Sequence, residues 1–283
     1  MRTGEAHRLF AYSAIVDRPE LQWPDGKRLA FWIAPNIEHL ELLGREGSAQ
    51  TPGVARLDYG NRVGIWRLME VLDRYGLRGT SPLNSAVCRH YPRIVEACLE
   101  RGWEMMGHGI TNSEMLDELS PEEEPLAIQR VVEEIRAATG RPVRGWLGPG
   151  LRESARTLDL LRANGVEYVC DWVNDDQPYR MNNGLYSIPY SLDLNDMRLL
   201  VPPVFGFSDW CEMIRRAFDT LYAEGGRVMC IPVHPYVTGQ PSRIGAFAEV
   251  LSYITGHDGV WRTTGGEIFD AYRAQRPEVS PTR

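Results

Sequence analysis

The sequence predicts a distorted (β/α) barrel of seven or eight parallel strands in a single domain. Three observations lead there. Apolar, strand-like runs alternate with segments of helical periodicity along nearly the whole chain, an order that calls for parallel pairing. Polar, chemistry-bearing residues follow directly after several different strands, which is how a barrel furnishes its C-terminal face; a doubly wound sheet would gather them at one switch point. No Gly-x-Gly-x-x-Gly follows a strand. The 283 residues exceed the one-domain mode of ~150 but suit an α/β barrel of ~250. They divide into an N-terminal arm (1–26), the barrel (27–276) and a short tail (277–283).

Arg28 to Ala34 is a continuous apolar run and reads as the first buried strand, ended by Pro35. From Asp58 to Tyr75, apolar residues at 65, 68, 69, 72 and 75 mark one helical face, stopped by Gly76. A strand around 79–84 precedes a helix entered through Pro92 and closed by Gly102, and Trp103 to Gly107 is the third strand. Ser120-Pro-Glu-Glu123 has the form of a capping box opening a helix to Gly140. Pro125 fits that helix poorly and points to a later start or an irregular first turn. Strands at 144–148 and 167–171 flank a helix at 153–163, and a further strand runs from Leu185 to Tyr190. A helix at 209–223 leads into the strand 227–233; helix 245–255, strand 260–263 and helix 267–274 complete the alternation.

Composition excludes several functions. Net charge is −7 with no extended basic run, which argues against nucleic acid as a main partner. No apolar stretch approaches the ~20 residues that span a bilayer, and the N-terminus lacks the apolar segment of a signal peptide. The five cysteines (88, 98, 170, 211 and 230) form no CxxC pair and read as reduced thiols of a cytoplasmic protein.

His234 opens His-Pro-Tyr-Val-Thr-Gly directly after an apolar strand, and His108 sits in Met-Met-Gly-His-Gly. Both imidazoles are delivered where an apolar run breaks into Gly or Pro, a placement that suits a held general acid or base. The segment Asn36-Ile-Glu38-His39 adds a carboxylate after strand one. Asp171 follows a buried strand, Trp146, Trp172 and Tyr190 are candidate pocket walls, and Trp32, Trp66 and Trp103 are assigned to packing. His39 is a possible additional ligand or, more simply, a loop histidine. Asp175 and Asp176 belong either to the site or to a solvated acidic loop.

These pieces, in this order, resemble the polysaccharide deacetylase (chitooligosaccharide-deacetylase-homology) superfamily, in particular its allantoinase-like branch. The resemblance runs from about Arg28 to Glu267 and rests on Asn36-x-Glu38, Asp58 to Trp66, Gly107-His-Gly109, Gly145-Trp146, Cys170 to Tyr179, Ile188 to Asp196, and His234-Pro through Arg243. It implies an Asp general base and a metal held by an Asp and two His residues four apart. Here the base position holds Asn36, the metal carboxylate is Glu38, the first metal His is His108, and the second is Asn112. Asn cannot act as a base at neutral pH, and an amide oxygen is a poor zinc ligand beside imidazole. The resemblance therefore implies either no cofactor or one weakly held divalent metal such as zinc, on Glu38 and His108. The allantoinase-like branch is regarded as able to work without one.

The chemistry that fits is hydrolysis of a non-peptide amide C–N bond in a small cyclic amide, ureide or imide. Glu38 acts as base, His234 as acid for the leaving nitrogen, and His108 and Asn112 hold the water or donate to the oxyanion. Asn36, Trp146, Asp171, Tyr190 and Arg243 complete the substrate site. Partners are a small-molecule substrate and, by resemblance, other copies of the chain in a homo-oligomer, with no nucleic acid or membrane. Two alternatives remain open: a metal-dependent carbohydrate N-deacetylase, and a non-catalytic barrel that binds a small ligand.

Overall fold

The computed structural model describes residues 8–42, 51–199 and 206–276; the tail at 277–283 lies outside them. Strand β1 (Leu29–Pro35) is buried at every position, as expected of a parallel strand covered on both faces. It pairs in parallel with β8 (Arg227–Val233) from Leu29 opposite Arg227 to Pro35 opposite Val233. At its start it also pairs with β9 (Val260–Arg262). A second ladder runs in the spatial order β2 (Thr80–Leu83), β3 (Glu104–Gly107), β4 (Gly145–Trp146), β5 (Tyr168–Val169), β7 (Tyr186–Ser187), β6 (Tyr179–Arg180). Parallel bridges from Ile33 to Gly79 and from Ile37 to Leu83 set β1 beside β2. Every strand pairs in parallel with a neighbour except β6, which is antiparallel to β7. This is the single-domain parallel α/β architecture that the sequence predicts.

The helices connect these strands: α1 (Thr51–Tyr59), α2 (Ile65–Arg74), α3 (Ser85–His90), α4 (Pro92–Glu100), α5 (Glu123–Thr139), α6 (Thr157–Ala163), α7 (Phe207–Glu224), α8 (Ile244–Thr255) and α9 (Gly265–Gln275). Three details depart from the sequence reading. Helix α3 has no counterpart in it, being too short to show periodicity. The helix expected from Asp58 begins at Thr51 and is broken by a π turn at Gly60–Gly64. Helix α5 starts at Glu123: Ser120 Oγ accepts the Glu123 N–H at 3.2 Å and Glu123 Oε2 accepts the Ser120 N–H at 2.9 Å. Pro125 thus falls in the first turn, where its missing N–H has no intrahelical partner to lose.

The arm is anchored at its described part. Arg18 grips Asp175 with two bonds of 2.8 and 2.7 Å, Phe10 meets the edges of Trp172 and Tyr179, and Leu21 and Trp23 are buried. A cleft of about 860 Å³ lies between the arm and the segment 174–182; none of Glu38, His108 or His234 lines it.

Close approach between strands relies on glycine. At Gly145 a Cβ would stand 2.3 Å from the Tyr168 ring, and Tyr168 cannot swing aside without losing the bond from its hydroxyl to the buried Glu104 carboxylate at 2.8 Å. Gly145→Ala is therefore expected to cost about 1–3 kcal/mol through overpacking, a fall in Tm of roughly 2–12 °C at this chain length. Thermal unfolding checks this; an unchanged Tm would mean that the Tyr168 ring moves freely.

Candidate functional site

Three segments that follow β1, β3 and β8 bring Glu38, His108 and His234 together. Their exposures are 7%, 3% and 5%, so the group is almost cut off from solvent. Glu38 Oε1 lies 3.4 Å from His108 Nε2 and 3.4 Å from His234 Nε2. Residues far apart in sequence meet because the strands run parallel and deliver their C-terminal ends to one side.

Each ring is oriented from its far nitrogen. His108 Nδ1 is 2.6 Å from the Leu147 carbonyl; a carbonyl only accepts, so Nδ1 donates to it and the ring turns Nε2 toward Glu38. His234 Nδ1 bonds Asp196 Oδ1 at 2.7 Å, and the His234 N–H donates to Asp196 Oδ2 at 2.8 Å. Thr238 Oγ1 donates to that same oxygen at 2.6 Å. Burial pulls His234 toward the neutral form, but the flanking carboxylates of Glu38 and Asp196 more than offset it and raise its pKa to about 10. Burial would raise Glu38; the His234 charge and the bonds from His108 and His234 reverse that and hold its carboxyl below the usual range. At neutral pH the centre is thus a carboxylate–imidazolium–carboxylate row. Tyr236 adds a hydroxyl 3.4 Å from Glu38 Oε2.

The remaining predicted residues have varied placements. Asn36 donates through Nδ2 to the Ala34 carbonyl at 2.9 Å and to the Tyr190 hydroxyl at 3.3 Å, and Tyr190 also receives Asn195 Nδ2 at 3.3 Å. Asn112 ties loops together: its N–H donates to the His39 carbonyl at 2.8 Å and its Oδ1 accepts from Asn84 at 3.1 Å. Asp171 accepts the Gly148 N–H at 2.6 Å; burial and then the neighbouring Glu153 raise its pKa well above the usual value. Arg243 is committed to the Val237 carbonyl at 3.1 Å and to the face of Phe207, so it braces the loop after β8. Trp146 is fully buried, its ring so close to Gly107 that a Cβ there would come within 2.3 Å. His39 stacks on His90 at 4.5 Å, away from a ligand's role.

A divalent metal, implied by the resemblance, does not fit these donors. Asn112 Oδ1 is occupied by Asn84, and among the described residues no three His, Cys, Asp or Glu side chains are arranged to hold an ion. Two ligands fall short of the three that catalytic zinc ordinarily takes from protein.

Sequence reasoning missed Asp196, Tyr236, Thr238 and Asn61. Asp196 lies on a 3-10 turn and Asn61 on the π turn, where no periodicity marks a functional face. The one available signal for Asp196 was its place at the end of the Ile188–Asp196 segment. Tyr236 and Thr238 sit two and four residues beyond His234, a spacing that one tight turn brings back onto it.

Residues 55–169 match the polysaccharide deacetylase family model. The chain is 29% identical over 243 residues to a Schizosaccharomyces pombe protein named "Putative polysaccharide deacetylase", covering 78% of this chain and 76% of that one. It is 26% identical over 274 residues to the peptidoglycan deacetylase of Helicobacter pylori, covering 83% and 92%. The crystal structure of PuuE allantoinase superposes with a TM-score of 0.84 at 26% identity, over 93% of this chain and 96% of the other.

The ionic row has a consequence for stability. The folded pKa of His234, about 10, exceeds its unfolded value of about 6.5. Its contribution is therefore complete below pH ~6.5, declines as pH rises, and is gone once pH passes about 10. Denaturant midpoints measured from pH 6 to 10 should fall across that window, and less steeply in Asp196→Asn, which loses one of the two anions that raise the ring. Identical slopes for both proteins would dismiss the assignment of the charge to His234.

Proposed function

We propose that this chain, which carries a polysaccharide deacetylase domain, hydrolyses the C–N bond of a small cyclic amide, ureide or imide. Hydrolysis of carbon–nitrogen bonds other than peptide bonds is the reaction class, within which the cyclic substrate is proposed. The observation that carries the proposal is the Glu38–His234 contact at 3.4 Å, a buried base and acid side by side with the acid already charged. A non-catalytic ligand-binding barrel has no use for such a pair. The structural likeness to an allantoinase over nearly the full length of both chains supports a ureide over a sugar, as does a donor set that does not fit a metal.

In the proposed reaction, water attacks the amide carbon while Glu38 takes its proton. His234 Nε2 gives its proton to the leaving nitrogen as the C–N bond breaks. The Glu38 carboxyl then returns the proton to His234 across the same contact and restores the row. Glu38 is a weak base while His234 is charged, since the imidazolium holds its pKa down. As that proton moves to the leaving nitrogen, burial becomes the dominant influence and the proton affinity of Glu38 rises. Acid and base are thus coupled, each strengthening as the other acts. His108, its Nδ1 held by Leu147, is suited to orient the water through Nε2, and Asn36 with Tyr190 offers neutral hydrogen-bonding groups to the substrate.

Purified protein should be screened against hydantoins, allantoin, cyclic imides and N-acetyl sugars, with and without chelator. Turnover of a cyclic amide that survives extended chelation is expected. Acetate release from an N-acetyl sugar by a zinc-containing enzyme that chelation inactivates would replace this reading with the carbohydrate deacetylase. On the substrate found, His234→Ala should lower kcat by ~10²–10⁴, and Glu38→Gln at least as much. A substrate with a better leaving group should partly rescue His234→Ala and leave Glu38→Gln inactive; equal rescue would show that the two roles are misassigned.

A further inference from the structure

The helix from Thr51 to Arg74 is widened at Gly60–Gly64 by a π turn, an irregularity that recurs at functional sites. Asn61, on this turn, is 5% exposed and donates its Nδ2 to the backbone carbonyl of Glu38 at 2.9 Å. The glycines of the turn face the other catalytic segment. A Cβ on Gly64 would stand 2.0 Å from the Pro235 carbonyl oxygen, and one on Gly60 would stand 2.9 Å from the Tyr236 nitrogen. Gly239 closes the contact from the far side, where a Cβ would lie 2.5 Å from Gly64 Cα. One turn of helix therefore touches both the segment that carries Glu38 and the loop that begins at His234.

We propose that Asn61 is a positioning residue, and that the π turn is a clasp that fixes the separation of Glu38 from His234. Its catalytic meaning rests on the hydrolase reading above; its structural content does not. Glu38 lies three residues beyond the last residue of β1; Asn61 holds the carbonyl of the Glu38–His39 peptide, while the N–H of that peptide donates to Asn84 Oδ1 at 2.8 Å. Rotation of that peptide plane would swing the carboxylate relative to His234 Nε2, and a displacement of ~1 Å can cost on the order of 10²-fold in rate.

The test is Asn61→Asp, which keeps the shape but removes the N–H facing the Glu38 carbonyl, with Asn61→Ser as the second variant should the first fail to fold. Arg62→Ala on the same turn is the control, since the Arg62 side chain is 72% exposed and pairs with Asp58. Crystal structures of wild type and variant should show the Glu38 Oε1–His234 Nε2 distance opening by about 1 Å from its present 3.4 Å. With allantoin or hydantoin as probe, kcat should fall ~10–100-fold with KM within about threefold, and Arg62→Ala should stay within twofold. An unchanged distance in a folded variant, or equal losses of kcat in the variant and the control, would overturn the clasp. A displaced Glu38 in the variant of an enzyme inactive on every amide tried would instead overturn the hydrolase reading and leave the clasp standing.

Discussion

The site depends on one carboxylate, that of Asp196. It is fully buried, and a buried charge is tolerated only when paired and fully hydrogen-bonded. Asp196 meets that condition with three bonds, from the His234 N–H, from Nδ1 of the same ring and from Thr238 Oγ1. Those bonds fix the ring plane, assign Nδ1 as a donor, and turn Nε2 toward Glu38. They also compel the ring to be a cation, since two anions flank it. The aim of the ring and the fold of the loop after β8 thus follow from this ion, and the charge of the ring from it and Glu38 together.

The same electrostatics account for the amides that stand where relatives are expected to carry charge or imidazole. Glu38 and Asp196 bring two negative charges to a volume that holds one imidazolium. A carboxylate at position 36 would add a third, without a metal ion to balance it. Asn36 is neutral and spends its N–H groups on the Ala34 carbonyl and the Tyr190 hydroxyl. Asn112, in place of the second imidazole, is tied to Asn84 and His39. The two amides are mutually consistent: each is neutral and already hydrogen-bonded within the protein.

Much of this was legible in the sequence because periodicity reports burial. The strands from Arg28, Trp103 and Arg227 read as apolar runs because parallel strands are covered on both faces, and Glu38, His108 and His234 stood out as polar residues directly beyond them. Legibility ended where backbone geometry is irregular. Helix α3 is six residues long, too short for a 3.6-residue period to show. Strand β6 is two residues of half-exposed chain. Asp196 and Asn61 sit on 3-10 and π turns, whose hydrogen-bonding pattern no apolar spacing announces. For Trp146 the sequence alone leaves two readings, since an aromatic after a strand suits a pocket wall as well as a core.

The pairing of β1 with β8 bears on how the molecule is made. These two strands form the longest ladder in the fold, yet their residues are synthesised near opposite ends of the chain. Glu38 lies just past the first and His234 just past the second, so the ionic row is itself a contact of very large sequence separation. Closing so long a loop is slow, and topologies dominated by such contacts fold slowly. As the chain leaves the ribosome, the edge of β1 that pairs with β8 stays open until some two hundred further residues have emerged. Its seven apolar residues, Leu29 to Pro35, are then the segment most exposed to misassociation, and chaperone capture during synthesis would fall there first.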